Sequence, residues 1–318
     1  MNVSENPMVS VCMITYNHEP YIRQAIEGVL MQQCNFTFEL VIGEDFSSDA
    51  TRLICEEYSK KHPGIIKLLP SVTNHGMIRN FLRTLNSCTG KYIALCEGDD
   101  YWTDQLKMQK QVNLLEADPK VIFTFHDNII LHNESGKEVL RVGRRKIDNI
   151  VDVESLILEK NFATASVIFR NILNFNLLPY WFDQILQPDY ALFLLLAEKG
   201  TGVFIPDVMS VYRVHEKGIW SGTNTDILVR EQGAFFSFAK EYFSSNKIRR
   251  AIRMRKKLLY YNYGIHKIRR GHIITGFLQS VTNLVLFGDK RVNTSIRKLI
   301  SAIKTGLYIS KQKVNRKT

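Results

Sequence analysis

The chain has 318 residues, enough for one large domain with an appendage, and its 45% hydrophobic content can fill a packed core. Its five cysteines (Cys12, Cys34, Cys55, Cys88 and Cys96) are odd in number, scattered and without a C-x-x-C pair, which argues against a zinc site or disulfide framework and for a reducing setting. The net charge of +11 hides an asymmetry. Residues 246–318 carry 19 Lys and Arg against the single acid Asp289, whereas residues 1–245 hold 23 basic and 30 acidic side chains. Two regions with different tasks are expected. No run of about 18 uncharged apolar residues occurs, so no membrane-spanning helix is expected, and residues 1–7 lack the apolar core of a secretion signal.

In chain order, residues 9–15 read as a first strand, ended by the turn-like Tyr16-Asn17-His18-Glu19-Pro20. Apolar Tyr21, Ile22, Ala25, Ile26, Val29 and Leu30 then recur at helical spacing. A second strand over 38–42 leads into Gly43-Glu44-Asp45-Phe46-Ser47-Ser48-Asp49. Ser48 is a fair N-cap for a helix to about residue 61, stopped by Pro63-Gly64. A third strand is expected over 65–69, a helix over 77–86 and a fourth strand over 91–96. Beyond it, the pattern predicts a helix to about residue 116, strands over 121–126, 165–170 and 208–214, a hairpin over 129–142 and an apolar helix over 190–199. From about Asp226 onward the chain reads as helical. Strands alternating with helices through short links predict an α/β fold, a mostly parallel Rossmann-like sheet covered on both faces.

The fourth strand ends in Glu97-Gly98-Asp99-Asp100, three carboxylates in four positions. The carboxyl edge of an open α/β sheet is where ligands bind. Clustered carboxylates repel, and a hard cation bridging to a phosphate is the usual remedy. The residues alone leave an acidic solvated turn equally open. No G-x-G-x-x-G or G-K-[ST] loop follows the first strand, which counts against dinucleotide oxidoreductases and P-loop NTPases.

Three segments together resemble family 2 glycosyltransferases: Val11-Cys12-Met13-Ile14-Thr15-Tyr16-Asn17, Glu44-Asp45-Phe46-Ser47-Ser48-Asp49, and Gly90 to Trp102. The likeness continues through Pro188-Asp189-Tyr190 and Tyr212-Arg213-Val214-His215 to Trp220-Ser221, roughly residues 8–222. It implies a GT-A fold and an inverting, metal-dependent transfer from a nucleotide sugar. The implied division is a catalytic domain over 1–225, with a nucleotide-sugar half to about 105 and an acceptor half beyond, and a basic helical tail over 226–318. Thr15 and Tyr16 would line the nucleobase pocket, and Asp45, or else Glu44, would accept the uracil N–H. Arg79 would lie near the base and phosphates. Glu97 would face the ribose, Asp99 would bind Mg²⁺ or Mn²⁺ with Asp100 in support, and His215 would touch the metal or diphosphate. Trp220 and Ser221 would close over the donor or the acceptor. Asp189 would be the general base; on its own it reads equally as a helix cap. The chain departs from the family pattern in Glu97, where D-x-D is usual, and in Glu44-Asp45-Phe46, where Asp-Asp-Gly is common; the phenylalanine suggests a less flexible turn.

In the tail, Ile273, Ile274, Phe277, Leu278, Val281, Leu284 and Val285 recur at helical spacing, as do Leu299, Ile300, Ile303 and Leu307, among dense cations. Basic amphipathic helices read as membrane-surface elements. A helical cap on the catalytic domain is the alternative, and nucleic acid is not an expected partner because its recognition motifs are missing. The combined expectation is an enzyme of surface polysaccharide synthesis, cytoplasmic and peripheral on the inner face of the membrane. It would move a sugar, UDP-linked, onto a glycan or lipid-linked glycan. A nucleotidyltransferase, or a non-catalytic sugar-nucleotide-binding protein recruited to the membrane, are the competing readings.

Overall fold

The computed structural model describes residues 6–140, 149–159, 162–219, 222–283, 297–305 and 307. They form two compact units, Met1–Gly222 and Thr223–Thr318. The first unit begins with β1 (Val9–Thr15), α1 (Ile22–Leu30), β2 (Phe38–Glu44), α2 (Thr51–Lys61), β3 (Ile66–Leu68), α3 (Met77–Asn86) and β4 (Tyr92–Leu95). These four strands are parallel, in the order β3-β2-β1-β4. β1 is buried along nearly its whole length, as a parallel strand covered on both faces must be, so its apolar residues run on rather than alternate.

The chain continues through β5 (Tyr101–Trp102), α4 (Lys107–Ala117), β6 (Val121–His132), β7 (Lys137–Leu140), β8 (Ile150–Val151), α5 (Val153–Leu158), β9 (Ile168–Arg170), α6 (Pro188–Lys199) and β10 (Thr201–Val214). They extend the same sheet as β4-β9-β6-β10-β5, with β9 antiparallel to both of its neighbours and β10 parallel to β6. The expected hairpin exists as β6 with β7; positions 141 and 142 lie outside the described residues.

Several boundaries differ from the sequence reading for identifiable reasons. β6 runs six residues past the expected end because His126, Asp127 and Asn128, polar in sequence, are buried within the sheet. β10 starts at Thr201 and holds register with β6 only through irregularities around Ile205, Val208 and Ser210. α2 starts at Thr51, not after Ser48. The Ser48 N–H and hydroxyl donate to Asn17 Oδ1, while Asp49 Oδ1 accepts from the Thr51 N–H at 3.0 Å.

The second unit holds α7 (Thr225–Tyr242), α8 (Asn246–Arg269) and α9 (Ile273–Thr282), with residues 297–305 also helical. Asn224 caps α7 by accepting from the Asp226 N–H at 2.7 Å. α8 and α9 cross closely at two glycines: a Cβ on Gly264 would lie 2.6 Å from the Gly276 carbonyl. With its small residues turned to α8, α9 leaves Ile274, Phe277, Leu278 and Val281 exposed along one stripe. Leu284 and Val285 lie outside the described residues.

One buried cation gives the fold a pH dependence. Lys107 is fully buried, its Nζ 4.0 Å from the Trp102 ring centroid and without a hydrogen-bond acceptor among the described residues. Burial pulls its pKa down to about 7, opposed only in part by the nearby Cys96. The folded chain therefore binds fewer protons here than the unfolded chain between pH 7 and roughly 10.4, and stability rises with pH across that window. Urea unfolding should show wild type gaining about 2 kcal/mol relative to Lys107→Met between pH 7 and 9. Parallel pH profiles for the two proteins would show that Lys107 does not titrate in this range.

Candidate active site

The acidic turn is built by continuing the β1–β4 ladder past the end of β4. The Cys96 N–H donates to Cys12 O, the Gly98 N–H to Ile14 O at 2.9 Å, and the Asp100 N–H closes the turn on Glu97 O at 3.1 Å. Only glycine fits at position 98, because a Cβ there would stand 2.5 Å from Thr15 Oγ1 and 2.7 Å from Thr15 Cβ. Thr15 is itself buried, and its hydroxyl has no hydrogen-bond partner among the described residues. Asp100 points inward. Its Oδ1 accepts from the Arg213 N–H at 2.9 Å, and burial, then the charges of Asp99 and Glu97, push its carboxyl well above the ordinary value. Asp100 thus ties the turn to β10. Glu97 stays partly accessible.

Asp99 faces two imidazoles. Its Oδ2 is 3.1 Å from His215 Nε2 and 3.8 Å from His18 Nε2, and its carbonyl accepts from Arg213 Nη1 at 2.6 Å. Arg213 also lies over the rings of Tyr101, at 4.4 Å, and Tyr21, at 5.2 Å, and donates to Gln24. Burial raises the Asp99 carboxyl, but His18 and the hydrogen bond to His215 outweigh it and hold it below the ordinary carboxylate value. Burial lowers the His18 imidazole in spite of the Asp99 charge. Imidazole nitrogens converging on an ionised, partly open carboxylate fit a divalent cation. Among the described residues no three such side chains already form a cage, so substrate oxygens would have to complete the shell.

Sequence reasoning paired His215 with Asp99 through the family pattern but passed over His18, which lies 81 positions before Asp99 with no ligand-like spacing. Its place is set by a loop-to-loop lock. The Asn17 N–H donates to Ser47 Oγ at 2.9 Å, the His18 N–H to Thr51 Oγ1 at 2.8 Å and the Glu19 N–H to Asp49 Oδ2 at 3.1 Å.

At the end of β2, Glu44 is fully buried, accepting from the Ser47 N–H at 2.6 Å and lying 3.7 Å from Arg52 Nη1. Asp45 is also buried, and its two oxygens accept the His75 and Gly76 N–H groups at 2.8 and 2.9 Å. Glu44 therefore organises its own loop, and Asp45 ties that loop to the one before α3. Phe46 takes a left-handed φ of +62°, a conformation that glycine adopts more readily, and is 55% exposed. Tyr16, at the neighbouring end of β1, is 47% exposed. On α3, Arg79 faces solvent. The arginine that reaches back to the strand ends is Arg83, one turn on, donating to Glu44 O at 2.6 Å and Pro70 O at 2.7 Å. The helical period carries both signals, but only the tertiary fold selects between them.

Asp189 is the second residue of α6, after Pro188; the N-cap position belongs to Gln187. It accepts from Thr164 Oγ1 at 3.0 Å. Thr164 opens a 3-10 turn whose next residue, Ala165, accepts the Trp102 indole N–H at 2.8 Å. Through that turn Asp189 connects to the segment that carries Asp99 and Asp100. Trp220 and Ser221 lie outside the described residues.

Residues 10–172 match glycosyl transferase family 2. The chain belongs to that family. An uncharacterized protein of Mycobacterium tuberculosis is 34% identical over 220 residues, 69% of this chain and 62% of that protein. The chain thus spans less than two thirds of this relative's length. A β-1,3-glucosyltransferase of Escherichia coli, WfgD, is 26% identical over 217 residues, 67% of this chain and 80% of its own. Among solved structures, TarS 1–349 of S. aureus in complex with UDP-GlcNAc superposes with a TM-score of 0.61 at 15% identity, covering 96% of this chain and 91% of its own. A mannosyltransferase of Pyrobaculum calidifontis in complex with GDP-Man and Mn²⁺ gives 0.56 at 15% identity, covering 96% and 88%. The fold is therefore of the GT-A type.

The close approach at Gly98 yields a direct check. Gly98→Ala should destabilise the family 2 chain by about 1–3 kcal/mol and displace the acidic turn. Urea unfolding of the two proteins measures the difference, and unchanged stability would mean that the turn tolerates a side chain there.

Proposed function

We propose that the chain is an inverting, metal-dependent glycosyltransferase that uses a nucleotide sugar, UDP-linked, and acts on a lipid-linked or nascent glycan in surface polysaccharide synthesis. The observation that carries this reading is the convergence of Asp99, His215 and His18 at the carboxyl edge of β4, joined through the Thr164–Ser166 turn to Asp189. Asp99 and His215 would hold the cation, which when bound neutralises charge on the leaving diphosphate.

At the base end, Asp45 keeps a second lone pair on each carboxylate oxygen for a uracil N–H, with Thr15 and Tyr16 beside it. Glu97 is assigned the ribose and Arg79 the outer phosphate region. Trp220 and Ser221 keep their assignment as covers over the donor or the acceptor. Asp189 takes the proton from the acceptor hydroxyl while that oxygen forms its bond to the anomeric carbon and the bond from that carbon to the diphosphate oxygen breaks. The Thr164 hydroxyl orients the carboxylate. The likeness to WfgD, a UDP-Glc:α-D-GlcNAc-diphosphoundecaprenol β-1,3-glucosyltransferase, supports a UDP-sugar donor and a lipid-linked acceptor.

Asp189→Asn should lower transfer by about 10²–10⁴-fold with little change in donor affinity, the range expected for loss of a general base. Asp99→Asn should lower both transfer and Mn²⁺-dependent UDP affinity. A coupled nucleotide-release assay across several sugar donors reads both, and near-wild-type turnover in both variants would defeat the mechanism.

For the second unit, a peripheral position on the inner face of the membrane is supported by the basic excess of residues 246–318 and the exposed stripe of α9. No helix among the described residues is long and apolar enough to cross a membrane. The full chain should float with vesicles containing anionic lipid at low salt and fail to float with neutral ones. Ile274→Asp with Leu278→Asp, at positions 76% and 58% exposed, should reduce flotation several-fold without unfolding the chain. Equal flotation of the two proteins would remove the membrane assignment.

A further inference from the structure

The loop between β1 and α1 carries more ordering than a turn needs. Asn17 sits at a left-handed φ of +54°, a conformation that asparagine tolerates better than most residues. Three consecutive backbone N–H groups, from Asn17 to Glu19, are held by side chains of the β2–α2 loop and the first residue of α2. In return, Asn17 Oδ1 accepts from the Ser48 N–H at 2.9 Å, and Glu19 Oε2 from the Ala50 N–H at 3.1 Å. Locally strained, over-determined backbone of this kind gathers where a side chain must be aimed. The side chain aimed here is His18. Its Nδ1 is buried with no hydrogen-bond partner among the described residues, close beside the space that glycine leaves at position 98.

We propose that His18 is a cation ligand, a second imidazole beside His215 that completes the protein's share of the shell with Asp99. The inference rests on the cation assigned above and adds to it a residue that the D-x-D pattern does not include. His18 Nε2 stands 3.8 Å from Asp99 Oδ2, too long for a hydrogen bond. Two ligands on one ion, each at about 2.1 Å, lie roughly 3.0–3.5 Å apart. The His215 to Asp99 separation of 3.1 Å meets that spacing, and His18 needs a shift of a few tenths of an ångström to do so. The two rings approach edge-on, 88° apart with centroids at 6.3 Å. They reach the same carboxylate oxygen without stacking on each other. A histidine serving only as a structural partner of Asp99 would be expected within hydrogen-bond reach, as His215 is.

Two imidazoles and one carboxylate form a donor set of intermediate softness, better suited to Mn²⁺ or Co²⁺ than to Mg²⁺. Mutation of a residue in or beside such a shell typically costs 10–100-fold in metal affinity. The test uses the full chain with UDP and Mn²⁺, following the free-ion signal by electron paramagnetic resonance and counting coupled imidazole nitrogens by electron spin echo. Wild type should show two imidazole couplings. His18→Gln and His18→Ala should each show one, with Mn²⁺ affinity lowered at least tenfold and Mg²⁺ affinity, measured by competition, changed much less. Thermal melting checks that both variants fold, and the coupling count on wild type decides even if neither does. A single imidazole coupling in wild type, or Mn²⁺ binding by folded His18→Gln equal to wild type, would overturn the role of His18 while leaving the cation in place. No Mn²⁺ binding by wild type in the presence of UDP would overturn the cation assignment itself, and this inference with it.

Discussion

Everything at the candidate site depends on two residues of β5 pairing with β10. Tyr101 and Trp102 lie opposite Val211 and Ser210, and the Asp100 carboxylate just before them accepts the Arg213 backbone N–H. That clamp joins a turn at the end of β4 to a strand more than a hundred residues later in the chain. It brings His215 to Asp99 and carries the Arg213 guanidinium to the Asp99 carbonyl. Without it, the acidic turn would be the solvated loop that its composition equally allows. β5 is too short to hold by its own ladder. The buried Trp102 side chain, bonded to Ala165 O and covered by the Lys107 ammonium, supplies the remaining anchorage.

A second constraint is the handling of negative charge. Glu44, Asp45 and Asp100 are buried, and each is met mainly by backbone N–H groups, with Arg52 beside Glu44. Backbone donors stabilise a carboxylate without bringing a mobile cation into the core. Those three carboxylates shape loops. Asp99 is different: its nearest partners are imidazoles, and its side chain remains 20% exposed. Loops held in place by backbone donors around one accessible, ionised carboxylate are what a site for a charged ligand requires.

Much of the parallel core and the acidic turn was legible in sequence, because each is a local pattern. Continuous apolar runs mark β1 and β4, helical spacing marks α1 and α3, and a run of carboxylates after a strand stands out against its surroundings. The misreadings share a physical origin. Ser48 resembles an N-cap until Asn17, from another loop, claims its N–H. Residues 126–128 look like the end of a strand because they are polar, although the sheet buries them. Arg79 and Arg83 lie one turn apart on α3, and nothing local says that the second reaches the strand ends. His18 sits in what reads as an ordinary turn.

The amino-acid sequence by itself determined the family, the α/β alternation, the acidic turn and the change of charge near residue 245. These depend on composition, periodicity and ordered motifs, all properties of neighbours along the chain. The tertiary structure decided which groups share a space. It put two histidines beside one aspartate oxygen, linked Asp189 through Thr164 to the segment after the turn, and made Asp100 a structural tie. Such pairings are made by strand order and by loops locking onto loops, whose contacts join residues tens to more than a hundred positions apart.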